Sequence, residues 1–128
     1  MKLLLDTHTL LWFIAGDQRL SANARSLIED AEVEKHVSAA SIWETAIKIS
    51  IGKMNLFAPF DLLFPHQLAI NGFTLLPIEI KHASQIISLP FHHRDPFDRI
   101  LIAQAIEEKM SLVSIDTVFD QYPVTRLW

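Results

Sequence analysis

No cysteine occurs anywhere in the chain, which removes disulfides, thiolate zinc sites and cysteine nucleophiles together. A surplus of positive charge is also missing. The formal net charge is −4, so the chain lacks the basic footprint of a protein that grips nucleic acid through lysines and arginines alone. Long apolar runs are absent too: the longest, residues 10–15, is far too short to span a bilayer, and Asp6 and His8 interrupt the leucines after Lys2 before a signal-peptide core can form. The expectation is a soluble, unexported, cytoplasmic protein with no membrane partner. His8, His66, His82, His92 and His93 form no HExxH-type element, so a two-histidine zinc hydrolase helix is not indicated. No repeat, low-complexity tract or linker divides the sequence, and one domain over residues 1–128 is expected.

Half the residues are hydrophobic and a fifth are charged, enough apolar content for a core and enough charge for solubility. Residues 2–5 form a short apolar run ending at Asp6, and residues 10–15 continue with helical character up to Gly16. Ser21 opens a second helix to about residue 31, residues 35–38 read as a strand, and Ser41 opens a helix that Gly52 closes, with Trp43, Ala46 and Ile47 turned to the core. Residues 62–70 suit a helix in which Pro65 sits in the first turn or bends the axis. Residues 73–78 read as a strand and 79–88 as a helix with Ala83, Ile86 and Ile87 on one face. Asp95-Pro96 is the clearest helix start, with Asp95 capping, Pro96 at the first helical position and an end near Lys109. Residues 111–115 make a strand ending at Asp116, and residues 124–127 a last one. Strands alternating with helices predict an α/β fold with a mostly parallel sheet covered on both faces.

In such a sheet, ligands bind beyond the carboxyl ends of the strands. Asp6 and Asp116 follow strands directly, while Asp98 and Glu44 lie near helix starts on the same edge, so four carboxylates can converge. Packed together they repel, and a hard divalent ion such as Mg²⁺ or Mn²⁺ relieves the repulsion and supports phosphodiester hydrolysis. Each acid also has a local explanation. Asp98 suits the dipole of its own helix, Ser41 and Glu44 match a capping box, Asp6 can cap the first helix, and Asp116-Thr117 can begin a turn. His92-His93-Arg94 reads as a loop beside a phosphate or simply in solvent. Trp12, Phe13, Trp43 and Phe97 are expected in the core.

Four blocks in order resemble one family: Leu4-Leu5-Asp6-Thr7-His8 with Leu10-Leu11-Trp12; Ser41-Ile42-Trp43-Glu44 through Lys48 to Gly52-Lys53; His93-Arg94-Asp95-Pro96-Phe97-Asp98-Arg99; and Ser114-Ile115-Asp116. They are similar to the PIN-domain family, and more narrowly to the VapC-type toxins of toxin-antitoxin pairs. The resemblance covers essentially the whole chain, with Asp-Pro-Phe-Asp-Arg its most specific part. It implies a Rossmann-like sheet and a Mg²⁺- or Mn²⁺-dependent ribonuclease, usually a homodimer, held inactive by a cognate antitoxin. It also implies Asp6 and Asp98 as principal metal ligands, Glu44 as ligand or base, and Asp116 as a ligand through water, with Thr117 and Asp120 assisting. Lys48, Lys53, Lys81, Arg94 and Arg99 are candidates for phosphate contacts, and Trp12, Phe57, Phe60 and Phe64 for a partner groove. Two other readings stand beside this one. An aspartyl phosphotransferase or phosphatase needs Asp-x-Asp, and the second residue after Asp6 is His8. A catalytically silent α/β binding module would use the acids only as caps.

Overall fold

The computed structural model describes residues 1–128. Five strands, β1 (Lys2–Leu5), β2 (Glu34–Ser38), β3 (Phe73–Leu76), β4 (Ser111–Val113) and β5 (Arg126–Leu127), form one sheet in the order β3-β2-β1-β4-β5, every pairing parallel. Six helices cover it: α1 (Thr7–Ala15), α2 (Ala22–Glu29), α3 (Ala39–Ser50), α4 (Phe60–Asn71), α5 (Ile80–Ile87) and α6 (Pro96–Glu108). None is long and apolar enough to cross a membrane.

Strand β1 has no exposed inner residue because it is covered on both sides. Leu3 and Leu5 pack with Leu10, Ala24, Ile28, Phe64 and Phe73 from α1, α2, α4 and β3. Leu4 points the opposite way, into a second cluster with Leu101, Ile102 and Ala105 of α6 and with Leu112 and Phe119. A continuous leucine run is therefore required where an alternating pattern would leave one face polar. The strand order reverses between β1 and β4: β2 and β3 extend the sheet one way, β4 and β5 the other. At this switch point the two carboxyl ends open a crevice.

Some helix boundaries differ from the sequence expectation for local reasons. Helix α3 starts at Ala39, capped by Ser38, whose side chain accepts from the Ala40 N–H. Ser41 and Glu44 are consequently one turn inside the helix and make no capping box. The inner face of α3 is polar at its start, with Ser41, Glu44 and Thr45 buried, while Trp43 is 60% exposed against the edge of Phe97 rather than in the core. Helix α4 begins at Phe60, so Pro65 is inside the helix, where Asp61 loses the N–H partner of its carbonyl. On α5 the buried residue is His82, Ile80 and Ile87 point outward, and of the face shared by Ala83, Ile86 and Ile87 only Ile86 is half-buried. Phe64, expected in a surface groove, is a core residue, packed edge-on against Phe60.

Helix α1 ends at Gly16, whose φ of 66° lies in the left-handed region, with the Asp17 N–H returning to the Trp12 carbonyl. A β-carbon there would meet nothing within 4 Å, so the backbone conformation alone opposes a side chain. Gly16→Ala is expected to lower stability by about 1 kcal/mol, read as a lower denaturation midpoint with an unchanged slope.

Candidate active site

Asp6 leaves β1 and caps α1: its Oδ1 accepts the Thr9 N–H at 2.8 Å, and its Oδ2 accepts the hydroxyl of Ser114, which is fully buried just after β4. The Thr9 hydroxyl donates to the Val113 carbonyl at 2.9 Å, tying the same two strand ends again. From α1, Thr7 donates to Glu44 Oε1 at 2.7 Å and lies 3.0 Å from Ser41 Oγ. Glu44 Oε2 is 2.8 Å from Lys48 one turn along α3, so this buried carboxylate has a hydroxyl on one oxygen and an ammonium beside the other.

The crevice is closed on its far side by the start of α6. Asp95 caps that helix as its sequence foretells, its Oδ1 accepting the N–H groups of Phe97 and Asp98 at 2.8 and 3.1 Å. Asp98 then projects from the first turn. Asp116 caps the 3₁₀ turn Thr117–Gln121 through the Val118 N–H, and its own N–H donates to Ser114 Oγ. Between them stands His93, whose Nε2 is 2.9 Å from Asp98 Oδ2 and 3.2 Å from Asp116 Oδ2. His93, Asp98 and Asp116 each offer a ligand atom within 4.8 Å of the others. Asp6 and Glu44 approach from β1 and α3 with their own hydrogen bonds.

Electrostatics separates this group from a second cluster. Burial pushes the Asp98 carboxyl up to about 7, and the negative charges of Asp95, Asp6 and Glu44 add to the rise, against an opposing pull from His93. First-turn position alone would stabilise the charged form; here desolvation and like charge win. In the other acidic cluster, Glu79, His82 and Glu108, Lys81 Nζ lies 2.9 Å from Glu108, and its hydrogen bond, followed by that of His82, holds the Glu108 carboxyl below its usual value. That cluster contains its own counter-charge. The Asp98 cluster has carboxylates in excess, and hard oxygen donors of this kind match a divalent cation such as Mg²⁺ or Mn²⁺.

A family model described as "PIN domain" matches residues 3–124. The chain belongs to the PIN-domain family. A protein of Mycobacterium tuberculosis (strain ATCC 25618 / H37Rv) named ribonuclease VapC22 is 37% identical to this PIN domain over 114 residues, 88% of this chain and 85% of its own. In solved structures the same fold recurs in VapBC2 from Rickettsia felis bound to a DNA fragment from their promoter, with TM-score 0.74, 15% identity and coverage of 100% of this chain and 99% of that one. DNA-bound VapBC from Salmonella typhimurium aligns with TM-score 0.73 at 15% identity over 99% and 97% of the two chains. FitAcB from Neisseria gonorrhoeae does so with TM-score 0.67 at 15% identity over 98% and 96%.

Several surface expectations resolve differently in this PIN domain. Arg99 is buried, and its guanidinium donates to the carbonyls of Ile86, Leu89, Pro90 and His93, so it fixes the loop between α5 and α6 rather than facing a phosphate. Lys81 is engaged by Glu108 away from the crevice, and Asp120 is committed to Arg126 at 2.9 Å. Thr117 is exposed. Sequence reasoning missed the roles of Ser114 and Thr7, small polar residues next to acids, and placed His93 in a loop beside a phosphate or in solvent rather than against Asp98 and Asp116.

The raised Asp98 pKa has a stability consequence. A folded-state pKa near 7 against 3.8 means that the native state retains a proton the unfolded chain has released. In EDTA, stability from this group is full below about pH 4 and lost as pH rises toward 7. Asp98→Asn should flatten that loss and raise cation-free stability at pH 8 by on the order of 2 kcal/mol, measured by thermal melts across the range. A loss of stability at every pH would identify Asp98 as a helix-dipole partner only.

Proposed function

We propose that this chain is a Mg²⁺- or Mn²⁺-dependent endoribonuclease, the toxin of a toxin-antitoxin pair, acting in the cytoplasm as one nuclease domain over residues 1–128. The observation that supports the reading is an excess of carboxylates at the switch point: Asp98 and Asp116 lie within ligand reach of each other, and the charges of Asp95, Asp6 and Glu44 all raise the Asp98 carboxyl. Family membership and the likeness to a ribonuclease named VapC22 support RNA as the substrate. VapBC complexes among the structural neighbours support an antitoxin partner.

In this reading Asp98 and Asp116 hold the cation with Asp6, and Glu44 serves as ligand or base; these four are the catalytic residues. When bound, the cation lowers the pKa of an attacking water and neutralises charge on the phosphate. The protein's own contribution is orientation. Ser114 and the Thr9 N–H fix the Asp6 carboxylate, Thr7 and Lys48 fix Glu44, and the Val118 N–H fixes Asp116. The hydroxyls that touch acids, Thr7 and Ser114, are buried and occupied in fixing Glu44 and Asp6, so water is the attacking group, in line, leaving a 5′-phosphate and a 3′-hydroxyl. The second residue after Asp6 is His8, where an Asp-x-Asp site has its second acid, which disfavours an aspartyl phosphotransferase.

For partners, a cleft of about 390 Å³ lined by Leu11, Trp12, Leu56 and Phe57, with Arg19 and Lys53 at its polar part, suits an amphipathic antitoxin segment. The outward Ile80 and Ile87 of α5 and the exposed Trp43 offer apolar surface for a homodimer.

Purified protein freed of antitoxin should cleave structured RNAs with Mn²⁺, lose that activity in EDTA, and lose it by at least roughly a hundredfold in Asp6→Asn. Sequencing the fragment ends identifies the 5′-phosphate. Equal cleavage in all three preparations would assign the activity to a contaminant.

A further inference from the structure

His93 is the one side chain in the crevice that the proposed chemistry leaves without a task, yet it is the best held. Its backbone N–H donates to the Tyr122 hydroxyl at 2.7 Å, and its carbonyl accepts from buried Arg99. The imidazole lies against Phe119, with ring centres 5.7 Å apart. Tyr122 in turn donates to the Pro90 carbonyl at 2.7 Å, so the loop is closed on itself. These contacts restrict where the ring can point, and it points at two carboxylates.

The proton on that ring can be placed. Nδ1 faces the Asp95 N–H at 3.3 Å, and a backbone N–H needs an acceptor, so Nδ1 carries the lone pair. In the neutral ring the proton then sits on Nε2 and is donated to Asp116 Oδ2 at 3.2 Å, while Asp98 Oδ2 stands 2.9 Å from the same nitrogen. For Nε2 to ligate a cation instead, Nδ1 would have to take up the proton and confront the Asp95 N–H, donor against donor. The loop thus makes His93 a donor to Asp116 beside Asp98 and disfavours it as a ligand. Asp98 Oδ1 has no protein partner and remains open.

We propose that His93 is a positioning residue for the cation site: its ring edge, donating Nε2–H to Asp116 and standing 2.9 Å from Asp98 Oδ2, bridges these two like-charged groups from different elements and keeps their oxygens within 4.8 Å of each other. Without the bridge the carboxylates would turn toward solvent, and the cation would have to order both on arrival. The inference rests on the cation-site reading above. Ligating carboxylates fixed by outer hydrogen bonds are a general feature of metal sites, and loss of such a partner costs roughly 10- to 100-fold in metal affinity.

The test compares His93→Gln, which keeps an N–H donor at similar reach, with His93→Leu, which keeps volume without a donor, both as full-length chains. Mn²⁺ affinity is measured by calorimetry, the environment of bound Mn²⁺ by pulsed electron paramagnetic resonance, and folding by cation-free melts. His93→Leu is expected to bind Mn²⁺ at least roughly tenfold more weakly than the parent, and His93→Gln within about threefold of it. The parent's bound Mn²⁺ is expected to lack coupling to a histidine nitrogen. Equal affinity for the Leu and Gln variants overturns the bridging role. Direct nitrogen coupling overturns it also, by making His93 a ligand. If the parent itself binds no Mn²⁺ while folded, the cation-site reading fails, and the bridge with it. If the Leu variant does not fold, the Gln variant decides: loss of affinity by tenfold or more in a folded Gln variant overturns the proposal, and retention with no nitrogen coupling supports it.

Discussion

The parallel pairing of β1 with β4 is the constraint on which the rest of the molecule depends. It sets Leu5 opposite Val113, so that the residues following each strand emerge side by side although they are more than a hundred positions apart in the chain. Asp6 and Ser114 then meet in a buried hydrogen bond, Thr9 reaches the Val113 carbonyl, and Asp116 follows within two residues. A slip of one residue between these strands would turn Leu4 out of the α6 cluster and Leu3 and Leu5 out of the α1 cluster at once. The apolar packing on both faces therefore fixes the polar geometry at the edge. Stability and site placement share one register.

That coupling explains what could be read from the chain alone. The α/β class followed from apolar runs of strand length alternating with helix patterns, and Asp95-Pro96 announced α6 to the residue, because capping chemistry and proline's fixed φ are local properties. Of the acids expected together from strand ends and helix starts, Asp98 and Asp116 lie within ligand reach of each other, and the charges of Asp6 and Glu44 are felt at Asp98. What failed was decided by long-range packing. An apolar face of α5 is visible in the sequence, yet His82, joined to the Glu79 N–H and to Glu108, takes the buried side and leaves Ile80 and Ile87 outside. Likewise Arg99 reads as a surface cation until the four carbonyls around it are known. Tertiary hydrogen bonding overrode the hydrophobic pattern in both places, and no window of sequence contains that information.

Capping and catalysis, which look like competing explanations for these acids, turn out to be compatible. Asp95 spends one oxygen on two backbone N–H groups, and Asp116 spends its Oδ1 on Val118, leaving Oδ2 toward His93. A cap locks the rotamer of a carboxylate, and a locked carboxylate loses less entropy when it acquires a further ligand. The same bond that starts a helix thus preorganises the group. Asp98 is the exception: it caps nothing, stands in the most repulsive position, and is the acid whose proton affinity moves most.

This division has a direction. If all the acids were relaxed by caps and cations of the protein itself, as Glu108 is by Lys81, the crevice would be stable and would have no reason to bind a divalent ion. Leaving Asp98 buried among like charges stores unfavourable electrostatic energy in the folded state, which the surrounding core has to outweigh. The leucine-packed β1 and the apolar middle of α6, Ile100 to Ala105 apart from Gln104, lie directly beneath the site and provide that excess. Electrostatic strain at the edge is accordingly carried by packing in the centre, and a substitution that loosens the core under α6 should be felt at Asp98 before it is felt in the sheet.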